Sequence, residues 1–182
     1  EVEHAMSYNV YNDTVFVANV TTNIFTVEGL EVYTDYCFRV EALRNEQAFV
    51  SETACARTLD LVIESPVVVA ESPSASSIVL TWPMVKNAMS YNVYSVDIDT
   101  TFIETVLVDS TYTIVDLEPY KDYCYTVSAV RNAQEVFSEA VCAKTLDLII
   151  SKPENVVASA TSTSTIVLTW EEVENAFSYN VY

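Results

Sequence analysis

Glycine is nearly absent: Gly29 is the only one in 182 residues, and His4 is the only histidine. Phosphate-cradling loops and dinucleotide fingerprints need several glycines for close backbone approach, so nucleotide chemistry of those kinds is excluded. A single histidine leaves no Ser-His-Asp or Cys-His arrangement for nucleophilic catalysis. His4 itself reads as a surface residue. Basic residues are scarce too, with 8 Lys and Arg against 26 Asp and Glu and a net charge of -18. Such a chain repels DNA, RNA and anionic membranes. The acidity fits a solvated surface that keeps modules apart, with salty surroundings or cation binding as alternatives. No run approaches the roughly 18 apolar residues of a membrane span, and no signal peptide is visible.

Hydrophobic residues are not lacking, at 51%. They lie in a pattern that occurs more than once. The pentapeptide SYNVY stands at residues 7–11, 90–94 and 178–182. LEVYTDYCFRVEALRN (30–45) matches LEPYKDYCYTVSAVRN (117–132), and SETACARTLDLVI (51–63) matches SEAVCAKTLDLII (138–150). SSIVLTW (76–82) matches STIVLTW (164–170). Cys37 to Cys124 and Cys55 to Cys142 are both 87 positions, and Trp82 to Trp170 is 88. A period near 90 residues is the size of a domain, not of a solenoid turn. One slip breaks the period. Tyr8 to Cys37 is 29 positions but Tyr91 to Cys124 is 33, which predicts a longer surface loop around Ser95–Thr105.

The elements read as strands. In SIVLTW, Ile78, Leu80 and Trp82 share one face and Ser77, Val79 and Thr81 the other. In YTDYCFRVEA, Tyr36, Phe38, Val40 and Ala42 oppose Cys37, Arg39 and Glu41. A period of two marks a half-buried strand. No helical periodicity is sustained. Short strands between turns predict an all-β sandwich.

In order and spacing, these motifs resemble the fibronectin type III family in its bacterial or archaeal style. A proline opens the unit, in SPVVVA at Ser65 and KPENVVASA at Lys152, and an alternating strand follows to a Trp. SYNVY is similar to the family's third strand. Leu30 with Tyr36, and Leu117 with Tyr123, look like its tyrosine corner, whose hydroxyl returns to upstream backbone. ARTL and AKTL resemble its last strand. The resemblance implies tandem immunoglobulin-like sandwiches of seven strands. Residues 64–148 form one complete module. Residues 1–60 lack a module's first two strands, and residues 151–182 carry only the start of another. The expectation is a window on a longer tandem array. The family's integrin-binding Arg-Gly-Asp is absent, and no family binding site transfers to RNEQAF or RNAQEVF in the corresponding loops.

Within this frame Cys37 and Cys55, and Cys124 and Cys142, fall on neighbouring strands and face away from the core. Two cross-strand disulfides are expected, with free thiols or a metal pair as the alternatives. Disulfides imply an extracellular, cell-surface or periplasmic location. The stretches TLDLVIESP and TLDLIISKP join the modules without glycine. Their apolar residues Leu59, Leu61, Ile63, Leu146, Leu148 and Ile150 are candidates for a buried, stiff joint, unless the last strand simply runs on into its own core. Sequons at Asn12 and Asn19 are candidate N-glycosylation sites. Asp97 and Asp99 hint at calcium, but two oxygens are far short of six to eight. No catalytic residue, metal or cofactor is assigned. Glu171 and Glu172 sit after a core Trp, where a small sandwich offers no cleft for paired carboxylates. The expected role is structural: a stiff rod, stalk or filament whose partners are further repeats or copies of itself, with other surface proteins or glycans in reserve. An adhesive module, and a spacer in a secreted carbohydrate-active enzyme or protease, are the other classes.

Overall fold

The computed structural model describes residues 2–96 and 99–182. It divides into two compact units, Glu1–Val62 and Ile63–Tyr182. Every regular element among the described residues is a strand.

The first unit is one antiparallel sheet of β1 (Ser7–Asn12), β2 (Val15–Val20), β3 (Asp35–Arg44), β4 (Gln47–Val50) and β5 (Ala54–Arg57). The strand order is β2-β1-β3-β4, and β5 also pairs with β3. Tyr8 and Val10 are buried on one face of β1, as alternation requires.

The second unit contains a full sandwich. One sheet is β6 (Val69–Ser74), β7 (Ser77–Thr81) and β10 (Thr111–Ile114), in the order β10-β7-β6. The other is β8 (Ser90–Ser95), β9 (Thr101–Val106), β11 (Asp122–Arg131), β12 (Gln134–Phe137) and β13 (Val141–Lys144), in the order β12-β11-β8-β9 with β13 also on β11. Ile78, Leu80, Trp82, Tyr91, Val93, Tyr125 and Val127 from the two inner faces form one core. Ile63 joins that core at 4% exposure. It therefore belongs to the module interior and not to a joint, and the module begins one residue before the expected 64. β14 (Val157–Ala160) and β15 (Ile166–Thr169) repeat β6 and β7 as a lone hairpin.

Seven strands are expected in the complete module, and eight are found. The last one breaks at Ser138. The Ser138 hydroxyl accepts a hydrogen bond from the Val127 amide at 3.1 Å, and the Ser138 amide donates to the Val127 carbonyl at 2.8 Å. Ser51 does the same to Val40 in the first unit. The serine hydroxyl of SETACA and SEAVCA thus stands in for one ladder carbonyl, and the strand splits there. The slip in the period also resolves. The β1–β2 turn is Asp13-Thr14, whereas Val96–Thr100 links β8 to β9. Three of the four extra residues lie there. The fourth lies between Val106 and Cys124, since Tyr8 faces Val20 and Tyr91 faces Val106.

The repeated tyrosine of SYNVY sets the turn before it. Tyr8, Tyr91 and Tyr179 each accept a hydrogen bond from the amide of a valine six residues earlier, at 3.1, 2.7 and 2.7 Å. Between valine and tyrosine lies one residue with positive φ: His4 (68°), Asn87 (68°) and Asn175 (64°). The lone histidine is thus a turn residue where the other repeats use asparagine, whose short polar side chain tolerates the left-handed region. The lone glycine follows the same logic. Gly29 has φ 73°, and its counterpart Asp116 has φ 59°.

Both tyrosine corners close. The Tyr36 hydroxyl accepts from the Glu31 amide at 3.0 Å, and that of Tyr123 from the Glu118 amide at 2.9 Å. The threonine of ARTL and AKTL locks the same corner. Thr145 is buried, donates to the Glu118 carbonyl at 2.7 Å and accepts from the Lys121 amide at 3.0 Å. Thr58 repeats this with Glu31 and Thr34.

Candidate functional site

The two outer sheet faces carry the same polar cluster, assembled from different residues. In the first unit Glu41 accepts from Asn9 Nδ2 at 2.9 Å and from the Tyr11 hydroxyl at 3.0 Å. In the central module Glu135 accepts from Asn92 Nδ2 at 3.1 Å, from Tyr94 at 2.7 Å and from Ser128 Oγ at 2.7 Å. Asn and Tyr come from SYNVY in both cases. The carboxylate does not. Position 41 matches Ser128, and position 135 matches Ala48. The acid has moved from one strand to its neighbour, and the cluster has survived.

The cluster's electrostatics follow from its geometry. The Ser128 and Tyr94 hydroxyls, in that order, hold the Glu135 carboxyl below its ordinary value, because they bond its charged form. Burial, then the hydrogen bond to Glu135, pushes Tyr94 up. In the first unit the hydrogen bond to Glu41 pushes Tyr11 up. A carboxyl with depressed folded pKa adds stability above its unfolded value and loses it as pH falls through its folded value. Glu135→Gln should therefore melt below the parent at pH 7, by about 1 kcal/mol or less for an exposed carboxylate. The gap should close in acid, once the carboxyl is protonated. Thermal melts at pH 7 and pH 3 check this, and an equal gap at both would overturn it. Exposed aromatic rings flank the cluster, with Phe102 at 5.7 Å and Phe137 at 5.3 Å from Tyr94.

The cysteines are joined in register. Cys37 faces Cys55 and Cys124 faces Cys142 across paired strands, and both pairs are disulfides, with S–S 2.04 and 2.01 Å. Asn12 ends β1 beside the exposed β1–β2 turn. Asn19 lies within β2, and its Nδ2 donates to Asn9 Oδ1 at 2.8 Å. Of the joint candidates other than Ile63, Leu59, Leu61, Leu146, Leu148 and Ile150 are all exposed. Leu148 lines a cleft of about 500 Å³ with Pro119, Tyr120, Asp147, Ala176 and Phe177. The calcium hint rests on Asp97, which lies outside the described residues. Asp99 is exposed.

The outer-face clusters could not be read from strand alternation alone. Their signal lay in comparing repeats: a Glu lost at one position reappears, after the 87-residue shift, on the next strand.

Two sheets, a shared core and a tyrosine corner define an immunoglobulin-like β-sandwich. A family model described as "Interferon-alpha/beta receptor, fibronectin type III" matches residues 59–146. Among curated proteins nothing matches. Among solved structures, "Structure of FN3tt mut" shares 27% identity over 47% of this chain and 97% of its own, with TM-score 0.40. The "Central Fibronectin-III array of RIM-binding protein" shares 24% over 93% of this chain and 69% of its own, with TM-score 0.38. The chicken "CNTN1 FN1-FN3 domains" share 20% over 78% and 56%, with TM-score 0.48. Residues 59–146 are thus similar in sequence to a fibronectin type III domain, and the segments on either side repeat parts of that module.

Proposed function

We propose that the chain is a non-catalytic, extracellular structural array that spaces or displays other parts as a stiff rod, stalk or filament. The connector carries this reading. The Tyr33 amide donates to the Leu59 carbonyl at 3.2 Å, which ties Leu59 to the first unit. Ile63 is already in the core of the second. Asp60, Leu61 and Val62 stand between these anchors, and the Leu61 amide donates to Asp60 Oδ1 at 2.8 Å. The same pattern recurs one period later. Tyr120 donates to the Leu146 carbonyl, and the Leu148 amide to Asp147 Oδ1. Flexible linkers are long and rich in Gly and Ser. This one is short, apolar and repeated. The disulfides support an oxidising, extracellular setting.

The expected result of Leu61→Ala with Leu148→Ala is a broader distribution of maximum dimension in small-angle scattering, with melting temperature kept. An unchanged distribution would remove the apolar joint from the proposal. An adhesive role for the outer face is the second reading. Exposed Phe102 and Phe137 beside the Tyr94 cluster favour it. Of the two sequons, Asn12 is the better placed for a glycan, because the Asn19 amide is engaged with Asn9.

A further inference from the structure

Ten non-glycine residues among the described ones have positive φ. Eight are Asn, Asp or His, the types that tolerate the left-handed region best. The other two are Tyr33 at 51° and Tyr120 at 53°. They stand 87 positions apart, at the same place in the repeat. A bulky ring on such a backbone is strained, and the strain persists only where the surroundings over-determine it. Scarcity of glycine does not force the choice, since asparagine fills five of the other positions. What tyrosine adds over asparagine at these two places is its ring.

The module interior does not use that ring. Tyr120 lies outside the core of the central module and is 63% exposed. The ring lies against the outgoing chain instead. Arg57 Cζ stands 4.9 Å from the centre of the Tyr33 ring, and Lys144 Nζ stands 3.3 Å from that of Tyr120. Both are within the range of cation–π attraction. Arg57 and Lys144 are the last residues of β5 and β13. Basic residues number only 8 in the chain, and each repeat places one here.

Two residues further on, the backbone of the same tyrosine takes hold. The Tyr33 amide donates to the Leu59 carbonyl and the Tyr120 amide to the Leu146 carbonyl, both at 3.2 Å. The residue between is Thr58 or Thr145, whose hydroxyl is bonded into the corner. Each tyrosine thus grips the chain on both sides of the locked threonine, by its ring before and by its amide after. Tyr120 also lines, with Leu148, the cleft of about 500 Å³.

We infer that Tyr33 and Tyr120 are positioning residues of the two connectors. They fix the direction in which the chain leaves its module, and the strained backbone serves to place the ring there. This deepens the stiff-array reading and rests on it. It adds two residues outside the apolar stretch, together with the cation that each one holds.

The test uses Tyr33→Gly with Tyr120→Gly in the oxidised 182-residue chain. Glycine adopts positive φ freely and keeps the amide, so only the ring is lost. The melting temperature should stay near the parent's. Hydrogen exchange at residues 33 and 120, relative to intrinsic rates, should quicken roughly two- to fivefold, as loss of an exposed cation–π contact implies. The distribution of maximum dimension in small-angle scattering should broaden. Tyr33→Phe with Tyr120→Phe keeps the rings and should match the parent in both measurements. Parent-like exchange in the glycine pair, or quickened exchange in the phenylalanine pair, would overturn the inference whatever the array does. A glycine pair that melts well below the parent would also overturn it, by assigning the ring to the module's own stability. Unchanged scattering from the glycine pair, where Leu61→Ala with Leu148→Ala broadens it, would overturn the inference and leave the stiff array standing. If neither pair broadens it, the stiff array falls and the inference with it.

Discussion

Trp82→Ala lowers the stability of the central module by about 3–5 kcal/mol, the range for deleting a buried aromatic ring from a packed core, while Trp170→Ala leaves that module's melting temperature unchanged. The two residues end the same heptapeptide apart from one Ser-to-Thr change. Each stacks at a tilt on the tyrosine of SYNVY, at 5.4 Å for Trp82–Tyr91 and 5.2 Å for Trp170–Tyr179. Local sequence and local contact are thus alike. The difference is the second sheet. Trp82 is buried at 3% exposure beneath it, together with Val93 and Val127, and its loss would leave a cavity that the surrounding strands fill only in part. Trp82 also carries a cost of its own. Its indole nitrogen is buried and has no hydrogen-bond partner among the described residues, so the packing of the ring must outweigh that donor's lost hydration. Calorimetry of the parent and both variants decides the matter. Equal losses from the two substitutions would mean that the tyrosine contact, and not the sandwich, supplies the stability.

Reducing the disulfides should cost about 3 kcal/mol in each unit, the chain-entropy value for a closed loop of this size. Both bridges span 18 positions, so the two units lose the same amount. They can tolerate it differently. The central module has a core from two sheets and should survive with a lower melting temperature. The first unit is a single sheet with one open apolar face, and small cores depend on such staples. Its amides in β3 and β5 should therefore lose hydrogen-exchange protection in dithiothreitol before those of β11. The Cys37→Ala, Cys55→Ala double variant should reproduce this without reductant. If the central module's melting temperature does not move when both bridges are reduced, the entropic contribution assigned to them is wrong.

Much of the fold is legible in single residues of the sequence. Alternation puts Ile78, Leu80 and Trp82 inward, and so they lie. The leucine-to-tyrosine spacing implies a corner, and Tyr36 and Tyr123 each close one onto an amide five residues upstream. Alternation is legible because side-chain direction in a strand depends only on parity. Ile63 is not legible in this way. It lies in an apolar run, Leu61-Val62-Ile63, where every residue is a candidate for burial and no polar neighbour marks the inward side. The outer-face carboxylate is not legible either, because Glu41 and Glu135 reach one type of cluster from two strands.

By itself the sequence determined the module, its period, its strand faces and its turns, because these depend on parity, spacing and φ preference within a few residues. Only the tertiary structure decided which copies of those segments become what they encode. SYNVY is strand β1 at residues 7–11 and strand β8 at 90–94, where β3 and β11 lie alongside to receive it. At 178–182 the same five residues form no strand. Their tyrosine still makes its local bond to the Val173 amide. No strand among the described residues lies alongside them, and a β-strand satisfies its backbone only through a partner that local sequence cannot supply.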